Sequence, residues 1–95
     1  IEMPLEVKQI VEKRKEQPFK VTYSDNQYTY IIIGYGRQNH QGYSIKVNNL
    51  YETKNGIYIK TEFQGPKEYS NSENVTYPYI VVKIEQTDKS VIFSE

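Results

Sequence analysis

The chain carries one histidine, His40, within Gly36-Arg37-Gln38-Asn39-His40-Gln41-Gly42-Tyr43, and acid–base or nucleophilic chemistry would have to start from it. A Ser–His–acid relay needs a serine beside that ring and a carboxylate to orient it. No nucleophile-elbow sequence is present, and the two aspartates, Asp25 and Asp88, both fall in turn-forming stretches. A zinc site needs three or four ligands; with no cysteine and one histidine, carboxylates would have to complete the set, and no spacing among them stands out. Gly34-Tyr35-Gly36 lacks the third glycine, the following helix and the lysine of a phosphate-binding loop, so a strand end or bulge is the better reading of these glycines. The expectation is a protein that is not an enzyme and uses no metal or cofactor.

The same loop offers a different chemistry. Arg37, Gln38, His40 and Gln41 are long or polar, are spaced along a loop, and present charged and amide donors that can reach another protein. Gly36, Gly42 and Tyr43 have a structural reading. Gly42 immediately precedes the inward-pointing Tyr43, where a chain re-entering a strand often needs positive φ or a close backbone approach.

The elements that position this loop follow from periodicity. Before it, Tyr28, Tyr30 and Ile32 alternate with Ile31, Ile33 and Tyr35, so apolar or aromatic side chains occupy both faces of one strand, the pattern of a central strand covered on both sides. After it, Tyr43, Ile45 and Val47 alternate with Ser44, Lys46 and Asn48, as in a strand with one face in water. The two read as strands joined by a reversing loop whose tip carries the polar residues. Val47 and Leu50 cannot share a face without an extra residue, which predicts a bulge or strand end near Asn48-Asn49.

Upstream, Met3, Val7, Ile10 and Val11 form an apolar stripe between Pro4 and Gln17-Pro18, predicting a helix over about 4–16 whose charged end, Glu12-Lys-Arg-Lys-Glu16, is solvated. Phe19, Val21 and Tyr23 make a strand, and Ser24-Asp-Asn-Gln27 turns it into the central one. Lys54-Asn55-Gly56 signals a tight reversal before Ile57, Ile59 and Phe63. Residues 64–74 are polar and aperiodic, a long loop of the mobile or functional kind. Tyr77-Pro78-Tyr79 places a trans proline at the entrance or edge of the strand that follows, and Val91-Ile-Phe93 returns as a short last strand. The fold expected is α+β: one domain over 1–95, with an N-terminal helix packed on a mostly antiparallel twisted sheet of about six strands, residues 19–94, curled into a partial barrel or sandwich.

Composition narrows the partners. Twelve basic and twelve acidic residues cancel, leaving no positive field for nucleic acid or an anionic membrane. No apolar run approaches the ~20 residues of a membrane span. The aromatics are ten Tyr and three Phe without Trp; most tyrosines sit at core parity, which favours a structural use over a stacking platform for sugars. The chain begins at Ile1 rather than Met, so the expectation is a processed fragment, from which any signal or lipid-anchoring segment that preceded residue 1 has been cut away.

Three ordered segments resemble the PrcB C-terminal-like family, small bacterial domains named for a subunit of a surface protease complex. These are Tyr30-Ile-Ile-Ile-Gly-Tyr-Gly-Arg37 followed by Gln41-Gly-Tyr-Ser-Ile45, the loop opening Gln64-Gly-Pro66, and Thr76-Tyr-Pro-Tyr-Ile-Val-Val82. The family has paired glycines where this chain has Gln41-Gly42. The resemblance spans roughly Tyr28 to Ile84 and singles out Gly36, Gly42, Tyr43, Tyr77, Pro78 and Tyr79 as motif residues. It implies an extracytoplasmic, non-catalytic accessory domain that binds a partner protein, such as a protease or an envelope protein, and supports the stability or assembly of a protease complex. A small-molecule or carbohydrate-binding β domain is the alternative, and a protease inhibitor a further variant.

Overall fold

The computed structural model describes residues 2–68 and 74–94. Its elements, in order, are α1 (Leu5–Arg14), β1 (Phe19–Ser24), β2 (Tyr28–Gly34), β3 (Ser44–Thr53), β4 (Gly56–Gln64), β5 (Tyr79–Glu85) and β6 (Val91–Ser94). The strands form two three-stranded sheets, β1-β2-β5 (sheet 1) and β3-β4-β6 (sheet 2). The expected sheet of six strands is therefore divided, and of the two architectures anticipated the sandwich is the one observed.

Sheet 1 is the middle layer. Its β2 is central, with Ile31, Ile32 and Ile33 inaccessible to solvent. Alternate residues enter different cores. Tyr30 and Ile32 pack with Val7, Val11 and Phe19 under the helix, while Ile31 and Ile33 pack with Ile57 and Ile59 of sheet 2. The period-two alternation of a doubly covered strand thus has its expected physical cause. Thr29, buried between these layers, shares a 2.7 Å hydrogen bond with the Ser24 hydroxyl and accepts one from the Thr87 amide at 3.3 Å.

The helix starts where Pro4 ends its extended conformation (ψ 155°), and the Pro4 carbonyl accepts from the amides of Val7 and Lys8. Asp25 closes the β1–β2 hairpin by accepting from the amides of Gln27 and Tyr28 at 2.8 and 2.7 Å. In sheet 2 the β3–β4 register shifts between Val47 and Asn49, the bulge anticipated from parity. Gly56 pairs with Thr53 beyond the two-residue turn. A side chain there would start 2.6 Å from Ile92 Cδ1 and 3.0 Å from the Ser90 carbonyl, so the glycine admits β6 alongside the turn. Pro78 directly precedes β5, and no peptide bond is cis among the described residues.

Three expectations are corrected. The strands flanking the 36–43 loop do not pair. β2 already has β1 on one side and β5 on the other, and its Ile31/Ile33 face requires a second layer, so the chain crosses to start sheet 2. The last strand does not return beside β5; β6 pairs parallel to β4. Its approach is held by the Ile57 amide donating to the Ser90 carbonyl at 2.9 Å and by Lys89 Nζ donating to the Thr53 carbonyl at 2.9 Å and to Glu52 at 2.6 Å. The core is built on isoleucine rather than tyrosine, for Tyr30 alone among the described tyrosines is buried. A phenol packs its ring while its hydroxyl reaches water, and so suits layer margins.

Candidate functional site

The loop that carries Arg37, Gln38, His40 and Gln41 is held from both ends. At its start, the Tyr35 amide donates to the Pro78 carbonyl at 2.8 Å and the Arg37 amide to the Glu16 carbonyl at 3.2 Å. Gly36, with φ 88°, lets the chain pass the helix exit, since a Cβ there would lie 2.9 Å from Pro18 Cδ and 3.0 Å from the Pro18 nitrogen. In the middle, Gln38 and Thr76 form an antiparallel bridge with amide-to-carbonyl distances of 2.9 and 2.8 Å. The Asn74 amide donates to the Asn39 carbonyl at 3.1 Å, and the Thr76 hydroxyl to the His40 carbonyl at 2.9 Å. At the end, Gly42 (φ 93°) rests on Pro66, whose Cβ lies 2.7 Å from where a side chain would begin.

Loop segments that read separately in sequence, 36–43 on one side and 64–68 and 74–76 on the other, are therefore one surface. Arg37 and Gln41 are exposed on it, whereas Gln38 and His40 are half-buried, with Gln38 Nε2 reaching the Tyr35 carbonyl at 3.5 Å. Beneath it Tyr35 stacks on Phe63 (centroids 4.3 Å apart, planes at 24°) and meets Tyr43 edge-on at 5.4 Å. These rings tie the end of sheet 1 to sheet 2. The segment 69–73, the centre of the long loop, lies outside the described residues.

Tyr77-Pro78-Tyr79 forms the wall on the helix side. Lys15 Nζ sits 4.6 Å from the Tyr77 ring centroid and donates to Glu12 at 2.9 Å. That carboxylate hydrogen bond raises the Lys15 pKa above its ordinary value. Between α1 and 75–79 runs an open groove of about 710 Å³ lined by Met3, Lys8, Val11, Lys15, Val75 and Tyr79. Met3 and Lys8 also border an open cleft of about 800 Å³ that reaches Asp25, Tyr28 and Lys83.

Sequence reasoning missed this groove, but geometry explains it. A helix is about 10 Å across and strands are spaced about 4.8 Å apart. A single helix centred on β1 and β2 therefore leaves the same face of β5 partly open, and Tyr79 remains exposed. Among the described residues no three His, Asp or Glu side chains converge as a metal site would require.

An uncharacterized protein of the archaeon Methanocaldococcus jannaschii is 36% identical over 73 residues, which cover 77% of this chain and 44% of that protein. The chain thus spans under half the length of that relative. No solved structure matches. The sequence profile of the PrcB C-terminal family matches residues 29–85, from the start of the central strand to the end of β5. That stretch contains β2 to β5 and the whole stitched surface except the helix exit, and the chain belongs to the PrcB C-terminal family.

Proposed function

We propose that this is a non-catalytic, extracytoplasmic accessory domain that binds another protein through the surface formed by residues 36–43 and 74–78, and so supports the stability or assembly of a protease complex. One observation carries the reading: four backbone hydrogen bonds, Tyr35–Pro78, two between Gln38 and Thr76, and Asn74–Asn39, hold these segments together. A surface ordered before contact loses less entropy on binding than a free loop does. Exposed Arg37 and Gln41 supply polar contacts on this surface, and exposed Val75 and Tyr79 supply apolar area beside them. Membership of the PrcB C-terminal family supports the accessory role. The clefts among the described residues are open grooves rather than enclosed cavities, which favours a protein over a small enclosed ligand.

The test uses Arg37→Glu with Gln41→Ala, since both side chains are exposed and their loss spares the backbone bonds. Immobilised wild type and double variant are each exposed to an envelope extract of the source organism, and captured proteins are identified by mass spectrometry. A protein retained by the wild type and by a Lys54→Ala control, but lost by the double variant at unchanged melting temperature, supports the reading. Equal capture by all three removes this surface as the binding site.

A further inference from the structure

The outer edge of β5 is unusually open to pairing. β5 runs in unbroken register with β2 from Tyr79 opposite Gly34 to Glu85 opposite Tyr28, and no described residue pairs with its other side. Edge strands are normally guarded by a lysine, a proline or a bulge. Here the register has no bulge, and Pro78 lies just outside the strand. Lys83, the one lysine in it, holds its ammonium 3.9 Å from the Tyr28 ring centroid, folded back over β2 and away from the edge.

The inward face of this strand is Ile80, Val82 and Ile84, all packed toward sheet 2 yet only half-buried. Read in either direction from Val82, that face is the same: isoleucine, valine, isoleucine. We propose that β5 pairs antiparallel with β5 of a second copy of this chain, about a two-fold axis through Val82, so that the two copies of sheet 1 join into one six-stranded sheet. Val82 then faces its own counterpart, and Ile80 of each copy faces Ile84 of the other. On the opposite face Val81 lies across from Lys83 and Tyr79 across from Glu85.

Neighbouring registers are worse. Centring on Val81 pairs only Tyr79 to Lys83, five of the seven residues of β5, and runs Ile84 and Glu85 past the start of the partner strand. Centring on Lys83 pairs only Val81 to Glu85, again five of the seven residues of β5, whereas the axis through Val82 pairs all seven.

Sheet 2 supplies an independent reason for a neighbour on this side. β3 lies beside β5, and its inward residues Val47 and Leu50, opposite Thr61 and Ile59, are each 38% exposed. Between Leu50 and β5 an open groove of about 360 Å³ is lined by Leu50, Ile57 and Ile84 together with the polar Glu52, Glu85 and Gln86. In the proposed register Ile80 of the second copy stands next to Ile84, at the mouth of this groove. A second copy therefore covers apolar surface that the single chain leaves wet, and does so twice by symmetry. The pairing runs along β5 and meets the stitched surface only at Tyr79, and it does not depend on what those loops bind.

The chain contains no cysteine, so single cysteines report register directly. Residues directly opposite in an antiparallel pair have Cα atoms about 4.5–5.5 Å apart, within disulfide reach. Under mild oxidation Val82→Cys should give a linked dimer, and an equimolar mixture of Ile80→Cys and Ile84→Cys a mixed one. Ile80→Cys alone, whose two copies would lie about 13 Å apart, should give roughly tenfold less. Sedimentation equilibrium of the unmodified chain, which needs no variant to fold, should show the apparent mass rising toward twice the monomer with concentration. A monomer at every concentration overturns the proposal and leaves the edge to a strand from another protein. Dimers that link equally through Ile80→Cys and Val82→Cys overturn the register and with it the proposal.

Discussion

At Gly42 two constraints coincide: φ is 93°, and Pro66 Cβ lies 2.7 Å from the position a side chain would take. Any other residue must strain the backbone and displace the 65–68 segment together. Gly42→Val should lower stability by about 1 to 3 kcal/mol, read from the midpoint of urea unfolding at unchanged slope. A change under half that figure would mean that the two loops separate at little cost. The polar residues of the same loop are not equivalent to one another. Arg37 and Gln41 project into water, but the backbone of Gln38 and the carbonyl of His40 hold the 74–76 segment. Side-chain polarity alone does not reveal that division, because it arises from what the neighbouring loop does.

Among the elements, the β1–β2 hairpin is closed by a single carboxylate. The backbone amides of Gln27 and Tyr28 hold the Asp25 pKa below its ordinary value. A carboxylate whose folded pKa is depressed adds stability that is fully present above its unfolded pKa, about 3.9. That stability is lost as the pH falls through the lower folded value. Asp25→Asn removes the charge-dependent part, so urea midpoints measured from about pH 5 to pH 2 should fall less steeply for the variant than for the wild type. Identical slopes would show that the turn forms without help from the ionised carboxylate. The other turn, Thr53 to Gly56, depends on a missing side chain rather than on charge, since Gly56 is where Ile92 and the Ser90 carbonyl come close.

In the whole molecule β2 is common to both cores. Ile32 faces the helix and Ile33 faces sheet 2, and neither is accessible to solvent. Ile32→Ala and Ile33→Ala should each cost about 2 to 5 kcal/mol. Although they act on different layers, each should lower the helix signal in far-ultraviolet circular dichroism and the tyrosine signal in the near ultraviolet along a single transition. The near-ultraviolet signal includes the Tyr51–Tyr58 pair on sheet 2, with ring centroids 5.1 Å apart and planes at 12°. If Ile32→Ala melts the helix while that tyrosine signal persists, the layers are separate folding units. An elongated shape, 47 × 27 × 21 Å, leaves strand edges long relative to the volume they enclose. That is the physical setting in which edge pairing by β5 gains most.

What the amino-acid sequence determined by itself is whatever rests on neighbours in the chain. The apolar stripe of Val7 and Val11, the β1–β2 and β3–β4 hairpins, the bulge at Asn48 and the position of Pro78 before β5 all follow from local periodicity and turn chemistry. Both parities of β2 were legible as well, because a strand buried on two faces carries apolar side chains on both, Thr29 with its hydrogen-bonded hydroxyl excepted. Only the tertiary structure decided which strands share a sheet. The alternation of Ile45 and Val47 is the same whether β3 extends sheet 1 or starts sheet 2, and that of Val91 and Phe93 is the same beside β5 or parallel to β4. Strand pairing between distant segments depends on which edges are already filled and which faces still need cover, and neither is a property of any one segment. For the same reason Gln38 and Thr76, thirty-eight positions apart in the chain, could be recognised as one site only once the fold had bridged them.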